Sequence, residues 1–146
     1  MHRFTTNRGI ELIQKFEGFM PTQYICVGNY PTIGYGHKLL ETEKYDNISQ
    51  DFAKEILLKD LFAAEKAVIK YINVPLDDNQ FDALVSFTFN LGPSALQRST
   101  LRQKINYNLY AEAADEFLKW VYAGTKKLND LILRRIAESK LFLGLL

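Results

Sequence analysis

Residues 49–72 read SQDFAKEILLKDLFAAEKAVIKYI, and this stretch decides the fold. Ser49 is a typical N-cap residue, and the apolar side chains after it recur at helical spacing. The buried stripe predicted from that spacing consists of Phe52, Ile56, Leu57, Leu61, Val68 and Ile72. A helix of about 24 residues would extend roughly 36 Å at 1.5 Å per residue, and Pro75 would end it. So long a helix in a small protein predicts a connection between two lobes.

The sequence before the long helix predicts a small lobe with one helix and a β-hairpin. Thr6 or Asn7 can cap the helix, and two short runs rich in aromatic and β-branched residues indicate the hairpin. If the loop consists of residues 28–30, Cys26 lies opposite Thr32 with both side chains on one face. A two-residue loop would offset them. The predicted elements are a helix to about residue 18, strands over 22–27 and 31–35, and a loop over 38–48.

The sequence after Pro75 predicts helices only. Breaks at glycine, proline and asparagine residues separate them, and Trp120 and Tyr122 are expected in the core. The predicted helices span about 78–90, 100–107, 109–122 and 130–143. The fold class is therefore α+β and mainly helical, in a single domain with a cleft between two lobes. Its predicted parts are an N-lobe over about 1–48, a connecting helix over about 49–72 and a C-lobe over about 75–146.

Composition and charge are those of an ordinary globular domain. The chain has 146 residues, of which 47% are apolar and 24% charged, and its net charge of +1 gives no signature of nucleic-acid binding. Two histidines and one cysteine show no metal-ligand spacing, so we expect neither a metal nor another cofactor. The lone Cys26 allows no internal disulfide. We find no signal peptide and no membrane span, so we expect a protein made in the cytoplasm, without stable membrane insertion.

Glu17 is the first candidate for catalysis. It lies at the edge of the apolar stripe of the first helix, whereas Glu11 and Lys15 fall outside that stripe. Partial burial against apolar groups raises the pKa of a carboxylic acid. A proton donor in glycoside hydrolysis near neutral pH needs such a raised pKa. The alternative is a helix-terminal glutamate that makes an ordinary hydrogen bond.

Four pieces of the chain, in the same order, carry a resemblance to a known family. The first piece is the spacing of Glu17, Cys26 and Thr32, which leads directly into TIGYGH at 32–37. The other three pieces are QFDALVSFTFNLG at 80–92, RSTL at 98–101 and RRIAE at 134–138. Over about residues 8–143 the chain resembles the phage-type lysozymes, which are the endolysins of glycoside hydrolase family 24. It is most similar to the lambdoid-phage branch. That family carries Glu, eight residues, Asp or Cys, five residues, and Thr.

The resemblance implies a lysozyme-like fold and a muramidase activity on bacterial peptidoglycan. Glu17 would be the general acid, the second position would activate or hold the attacking water, and Thr32 would help to orient that water. Cys26 at the second position differs from a carboxylate, because a thiol with a pKa of about 8.5 is mostly neutral and a weak base at pH 7. We expect burial next to Glu17 to raise the pKa of Cys26 further. The alternative is that Cys26 is a small buried hydrophobe.

Aromatic and polar residues further along the chain are candidates for substrate binding. Tyr35, Phe87 and Phe89 could pack a ring face against a sugar, although core packing is the favoured interpretation for Phe87. By their places in the matching motifs, Phe89 and Thr100 resemble cleft-lining positions of the family.

The remaining charged candidates are expected to be structural. We expect His37 to form hydrogen bonds within the N-lobe, and not to activate Cys26 as in a cysteine hydrolase. Arg134 and Arg135 could support the cleft, but pairing with Glu138 one turn later is the favoured interpretation.

The resemblance also implies partners and a place of action. Glycan strands of peptidoglycan would be the substrate of a monomer, and a holin or other export route would bring the enzyme to the wall. Two alternatives stay open. One is a lytic transglycosylase, in which the substrate's own hydroxyl replaces water and leaves anhydro-muramic ends. The other is a glycan-binding module that has lost catalysis. A redox-sensitive enzyme is also conceivable, since oxidation of Cys26 would add bulk and polarity at the site.

Overall fold

The computed structural model describes residues 1–26 and 28–146 and confirms a mainly helical α+β fold. Its α-helices are α1 (Asn7–Glu17), α2 (Gln50–Tyr71), α3 (Asp78–Leu91), α4 (Pro93–Arg98), α5 (Thr100–Asn106), α6 (Tyr110–Glu116) and α7 (Asn129–Phe142). Its strands are β1 (Met20–Ile25), β2 (Pro31–Gly34), β3 (His37–Lys38), β4 (Tyr122–Ala123) and β5 (Lys126–Lys127). The first three strands form one antiparallel sheet in the order β1-β2-β3, and β4 and β5 form a second.

The long helix α2 is confirmed almost to its predicted ends. The Ser49 hydroxyl accepts a hydrogen bond from the Phe52 amide at 3.1 Å, as an N-cap residue should. The predicted stripe is buried except for Phe52, which contacts Tyr45 edge-on at the first turn instead. One face of α2 packs against the sheet and another against α3. Across the described ranges no helix is long and apolar enough to cross a bilayer.

The hairpin of β1 and β2 forms with a different register from the predicted one. Tyr24 pairs with Thr32, and the Cys26 amide donates to the Tyr30 carbonyl oxygen at 3.0 Å. Cys26 therefore lies opposite Tyr30, and the predicted direct pairing with Thr32 is wrong. The turn closes one residue earlier because Asn29 adopts a positive φ of 63° and its amide donates to the Cys26 carbonyl oxygen. Val27, the predicted end of the first strand, lies outside the described residues.

Helix α3 is the centre of the helical part. Asp77 and Gln80 form a reciprocal capping box at its start, and its side chains pack against α1, α2 and α7. Leu84, Val85 and Phe87 on this helix are completely buried. Because α1 packs on α3, the end of α1 is held at the boundary between the sheet and the helices.

Several short elements differ from the prediction. The predicted helix over 109–122 ends at Glu116, and a 3-10 turn and the β4–β5 hairpin follow it. Tyr122 is 57% exposed on β4 and is not a core residue, whereas Trp120 is partly buried against Phe87. Pro93 was expected at a break but begins α4, since proline suits the first position of a helix.

Candidate active site

A cavity of about 500 Å³ opens between the first sheet and the helical part. Helices α1, α2 and α3, strand β3 and the loop residues on either side of β3 contribute to its wall. The lining residues are Glu17, Gly36, His37, Lys38, Leu40, Asp60, Phe89 and Asn90. A mixed lining of aromatic, amide and charged groups suits a ligand that needs both packing and orientation.

Glu17 is the last residue of α1, and its side chain faces this cavity. The side chain is 19% exposed, so the partial burial predicted from the helical phase is confirmed. Gly18 ends the helix with a φ of 71°. Gly36 in the turn after β2 also has a positive φ, of 75°, and a Cβ there would lie 2.6 Å from Glu17 Oε1. Glycine at position 36 therefore leaves the space that the Glu17 carboxylate occupies.

Arg134 of α7 holds the other oxygen of Glu17. Its Nη1 donates to Glu17 Oε2 at 2.7 Å, while its Nε contacts Glu138 Oε2 at 3.3 Å. Arg134 is only 4% exposed. The favoured pairing with Glu138 is thus present, and Arg134 in addition contacts the cleft, which the sequence analysis gave as the alternative. A charge-assisted hydrogen bond of this length fixes the carboxylate and leaves Oε1 on the side of Gly36.

Arg134 belongs to a buried polar network of side chains from α3 and α7. Glu138 is completely buried and accepts a hydrogen bond from the Ser86 hydroxyl at 2.6 Å. Burial raises the pKa of Glu138 by more than the guanidinium groups of Arg135 and Arg134 lower it, so the net shift of this pKa is upward. Arg135 also donates to Asn90 Oδ1, so the Asn90 amide hydrogens remain to donate elsewhere. The network therefore connects the core to two residues of the cavity wall, Glu17 and Asn90.

Cys26 at the end of the hairpin has a lowered pKa, contrary to the expectation. A hydrogen bond from the Thr32 side chain lowers it most, followed by hydrogen bonds from the backbone of Tyr30 and Gly28, and the positive charge of Lys38 contributes. Burial acts in the opposite direction but is outweighed, because Cys26 is only partly buried. The expected rise in pKa is wrong because the turn directs hydrogen-bond donors at the sulfur.

Thr32 is almost completely buried under the hairpin. Its hydroxyl donates to the Tyr30 carbonyl oxygen at 3.0 Å, so the same single hydrogen would have to leave that oxygen in order to donate to the Cys26 sulfur. Side chains alternate along a strand, so Cys26 shares the face of Tyr24 and Thr32 one diagonal step further on. The predicted shared face is thereby retained although the direct pairing is not.

Tyr24 is a candidate that the sequence analysis missed. Burial raises the pKa of its phenol, and the negative charges of Glu17 and Cys26 raise it further. The Tyr24 hydroxyl, on strand β1 of the hairpin, is therefore within electrostatic range of both groups. A tyrosine in a strand carries no signal by itself, so only the fold reveals this position.

The other candidates for substrate binding lie in different places in the structure. Phe89 lines the cavity, whereas Phe87 is fully buried, as the favoured interpretation had it. Tyr35 is only 9% exposed and packs against Phe19, so its ring is part of the core and not an open platform. Thr100 is exposed at the first residue of α5, and it is not among the described residues that line the cavity.

His37 is held between two carboxylates at the edge of the cavity. Its Nδ1 lies 2.7 Å from Asp60 Oδ2 and its Nε2 lies 2.9 Å from Glu43 Oε1. Burial lowers the pKa of His37, but the hydrogen bonds that its ring donates to Glu43 and Asp60 outweigh this effect, and the net shift is upward. Both ring nitrogens are engaged, which disfavours a pairing with Cys26. In the part of the chain that the structure describes, no group of three or more His, Cys, Asp or Glu is arranged to hold a metal ion.

A second cavity, of about 350 Å³, continues the groove past Glu17. Glu17 and Asn90 line both cavities, so the carboxylate stands where the two meet. The second cavity is lined in addition by Lys15, Phe16, Asp130, Leu131, Leu133 and Arg134. A groove that extends to both sides of one carboxylate suits a polymer better than a small molecule.

Comparison with known proteins places the chain in a family. The family model described as Phage lysozyme matches residues 14–138. The chain is 42% identical over 137 residues to an endolysin of Bacillus phage B103, covering 92% of this chain and 52% of that protein. It is 38% identical over 147 residues to the endolysin of Salmonella phage P22, covering 95% of this chain and 97% of that protein. The chain thus spans about half the length of the Bacillus phage relative and nearly all of the P22 protein.

Solved structures show the same fold. A P22 lysozyme mutant superposes with a TM-score of 0.88 at 34% identity, covering 97% of this chain and 99% of the other. The muramidase domain of SpmX from Asticaccaulis excentricus gives a TM-score of 0.88 at 34% identity, covering 98% and 99%. The sequence motifs, the fold and these relatives agree, and the chain belongs to the phage lysozyme family.

Proposed function

We propose that the protein is a muramidase that hydrolyses the β-1,4 bond between N-acetylmuramic acid and N-acetylglucosamine in bacterial peptidoglycan. The observation that carries this proposal is the Glu17 carboxylate at the junction of two cavities, with Oε2 held by Arg134. A glycan strand in this groove would pass Glu17 on one side and the Phe89 ring on another. The strand would also meet the free amide hydrogens of Asn90.

Glu17 acts as the general acid in this proposal. Because Arg134 donates to Oε2, the proton of the neutral acid belongs on Oε1, which faces the space beside Gly36. Transfer of that proton to the glycosidic oxygen lets the leaving sugar depart as an alcohol. Arg134 then stabilises the carboxylate that remains. General acid catalysis of this kind contributes about 10²- to 10⁴-fold to a rate.

Cys26 and Thr32 hold the attacking water in this proposal. The lowered pKa of Cys26 increases the thiolate fraction at neutral pH, which makes the sulfur a better proton acceptor than an ordinary thiol. In this proposal the Thr32 hydroxyl exchanges its hydrogen bond to the Tyr30 carbonyl oxygen for one that orients the sulfur or the water. Tyr24 is within electrostatic range of Glu17 and Cys26, and a bound water could extend its hydroxyl toward them.

The proposed setting is that of a phage endolysin. The protein would be made in a bacterial cytoplasm, cross the inner membrane by a holin or another export route, and act as a monomer on glycan strands of the wall. The endolysin relatives support this setting, because two of them match the chain over nearly their whole length.

A lytic transglycosylase is the second candidate, and the thiol at position 26 favours it. Where the base is weaker than a carboxylate, a hydroxyl of the substrate can attack in place of water. The test is digestion of purified peptidoglycan in ¹⁸O-labelled water, with mass spectrometry of the released muropeptides. The hydrolase proposal predicts reducing ends that carry one labelled oxygen. Anhydro-muramic ends without label would overturn it in favour of the transglycosylase, and wall binding without released fragments would leave only a binding module.

A further inference from the structure

The outer face of α2 carries an exposed apolar cluster with a row of lysines beside it. Leu58, Phe62 and Ile69 are each more than 40% exposed, and Phe4, from the segment before α1, is 67% exposed next to them. We call this surface the α2 patch, and it consists of Phe4, Leu58, Lys59, Phe62, Lys66, Ile69 and Lys70. Large contiguous exposed apolar surfaces mark interaction sites, whereas singly scattered apolar residues need no such explanation.

The α2 patch faces away from the groove. At about 100° per residue, Leu58, Phe62 and Ile69 fall within an arc of about 40° on the helix. On the same scale the three lysines occupy an arc between about 80° and 120° from Leu58, to one side of the apolar residues. Asp60, which lines the groove, lies about 200° from Leu58 on this scale, on the opposite side of the helix. A ligand on the α2 patch would leave the groove open.

The patch has a defined shape around Phe62. Phe62 lines two shallow cavities, of about 430 and 450 Å³. His2 stacks on Phe62 with a centroid distance of 4.1 Å and also contacts Glu65 at 3.0 Å. Phe4 packs edge-on against His2. These contacts fix Phe4 beside the helix, where it enlarges the apolar surface.

The charge of the patch is uniformly positive. Lys59, Lys66 and Lys70 line the two cavities, and no carboxylate does so among the described residues. The nearby Glu65 is only 2% exposed, since it accepts hydrogen bonds from the Thr5 amide and hydroxyl at 2.6 Å. Asp51 and Glu55 lie on this face only toward the N-terminal end of α2, so the basic part is confined to residues 58–70.

We propose that the α2 patch docks on the surface of an anionic phospholipid bilayer without spanning it. Its apolar side chains would enter the interfacial region, and the lysines would place their ammonium groups at the phosphates while their stems cover apolar surface. Phe and Leu beside a lysine row is the composition that such interfacial helices use. Docked in this way, the protein would turn its groove away from the bilayer.

A second copy of the chain is a poorer occupant of the patch. A two-fold contact would bring the same surface of both copies together, and three lysines would then face three lysines. Anionic headgroups complement this charge, whereas a second copy repeats it.

The test is co-sedimentation with vesicles of phosphatidylcholine alone and of phosphatidylcholine mixed with phosphatidylglycerol. We expect the wild type to bind the anionic vesicles and to bind the neutral vesicles at least about tenfold more weakly. The reason is that each lysine near an anionic surface increases the binding affinity about fivefold. The triple variant Lys59→Gln, Lys66→Gln, Lys70→Gln should lose about a hundredfold in affinity on the same scale. Phe62→Ser should also weaken binding.

A matched control removes the same charge elsewhere. Lys126, Lys127 and Lys140 are exposed outside the patch, and the triple change of these residues to Gln should leave vesicle binding within a few-fold of the wild type. Equal losses in the two triple variants would overturn the proposal, as would equal binding to both vesicle types. A lipid-free dimer that Phe62→Ser dissociates would assign the patch to a second copy instead. Muropeptide release from purified peptidoglycan should be the same in all variants. A failure of the membrane-docking proposal can therefore be distinguished from a failure of the proposed muramidase activity.

Discussion

Substitution of Gly36 by alanine tests whether the position of the Glu17 carboxylate matters for activity. A Cβ at position 36 would lie 2.6 Å from Glu17 Oε1, whereas ordinary contacts begin near 3.4 Å. The oxygen would therefore have to move by about 0.8 Å to restore contact distance. Because Arg134 holds Oε2 at 2.7 Å, this movement would also strain or break the ion pair.

Two separate effects of Gly36→Ala can be estimated. A positive φ at a residue with a Cβ costs roughly 1–2 kcal/mol in the free energy of unfolding. A misplacement approaching 1 Å at a reacting group lowers kcat/KM by up to roughly 100-fold, so we expect a loss of roughly 10- to 100-fold. The first effect is a property of the backbone alone, and the second depends on the contact with Glu17.

Gly124→Ala separates the two effects. Gly124 has a φ of 64°, close to the 75° of Gly36, but a Cβ there would have no described neighbour within 4 Å. Both variants should lose a similar free energy of unfolding in urea titrations, and only Gly36→Ala should lose activity on purified peptidoglycan. Wild-type kcat/KM in a folded Gly36→Ala protein, or an equal loss of activity in both variants, would refute the reasoning.

Three further predictions follow from the charges around the site. Arg134→Met should lower the free energy of unfolding by about 3 kcal/mol, because it removes a buried guanidinium that contacts two carboxylates. A loss below about 1 kcal/mol, measured by urea titration, would contradict this prediction. The raised pKa of His37 means that its charged pairing stabilises the fold fully below about pH 6.5 and that this contribution is lost as pH rises through the folded pKa. The difference in unfolding free energy between the wild type and His37→Gln should therefore be largest at the acid end of a titration from about pH 5.5 to 9, and a difference that grows with pH would show that the pairing is misassigned. Thr32→Val should slow the reaction of Cys26 with iodoacetamide near pH 7.5, since it removes the hydrogen bond that lowers the thiol pKa most. An unchanged reaction rate in a folded variant would show that Thr32 does not lower the pKa of Cys26.

The parts of the fold that the sequence predicted are those encoded locally. Helix α2 has an N-cap residue, a sustained apolar period and a proline beyond its end, and each of these acts within a few residues. Glu17 could be placed at the edge of the α1 stripe by helical phase alone. The proposal that Glu17 is catalytic, however, rests on the resemblance and not on that phase.

The parts that the sequence missed depend on contacts between distant residues or on very short elements. Arg134 lies 117 residues from Glu17, so helical spacing showed its partner Glu138 but not the contact that shapes the site. Tyr24 became a candidate only when the hairpin register placed it opposite Thr32. Two-residue strands such as β3, β4 and β5 have no period to detect. The hairpin register followed the positive φ of Asn29, which the sequence does not reveal.

The most direct test of the central claim is the rate at which Glu17→Gln releases muropeptides from purified peptidoglycan. Glu11→Gln is the matched control, because Glu11 is an exposed glutamate of the same helix α1. With folding checked by thermal unfolding, Glu17→Gln should retain binding to the wall but lose at least about 100-fold in rate, as expected for removal of a general acid. Glu11→Gln should match the wild type. A folded Glu17→Gln protein that releases fragments at the wild-type rate would contradict the account.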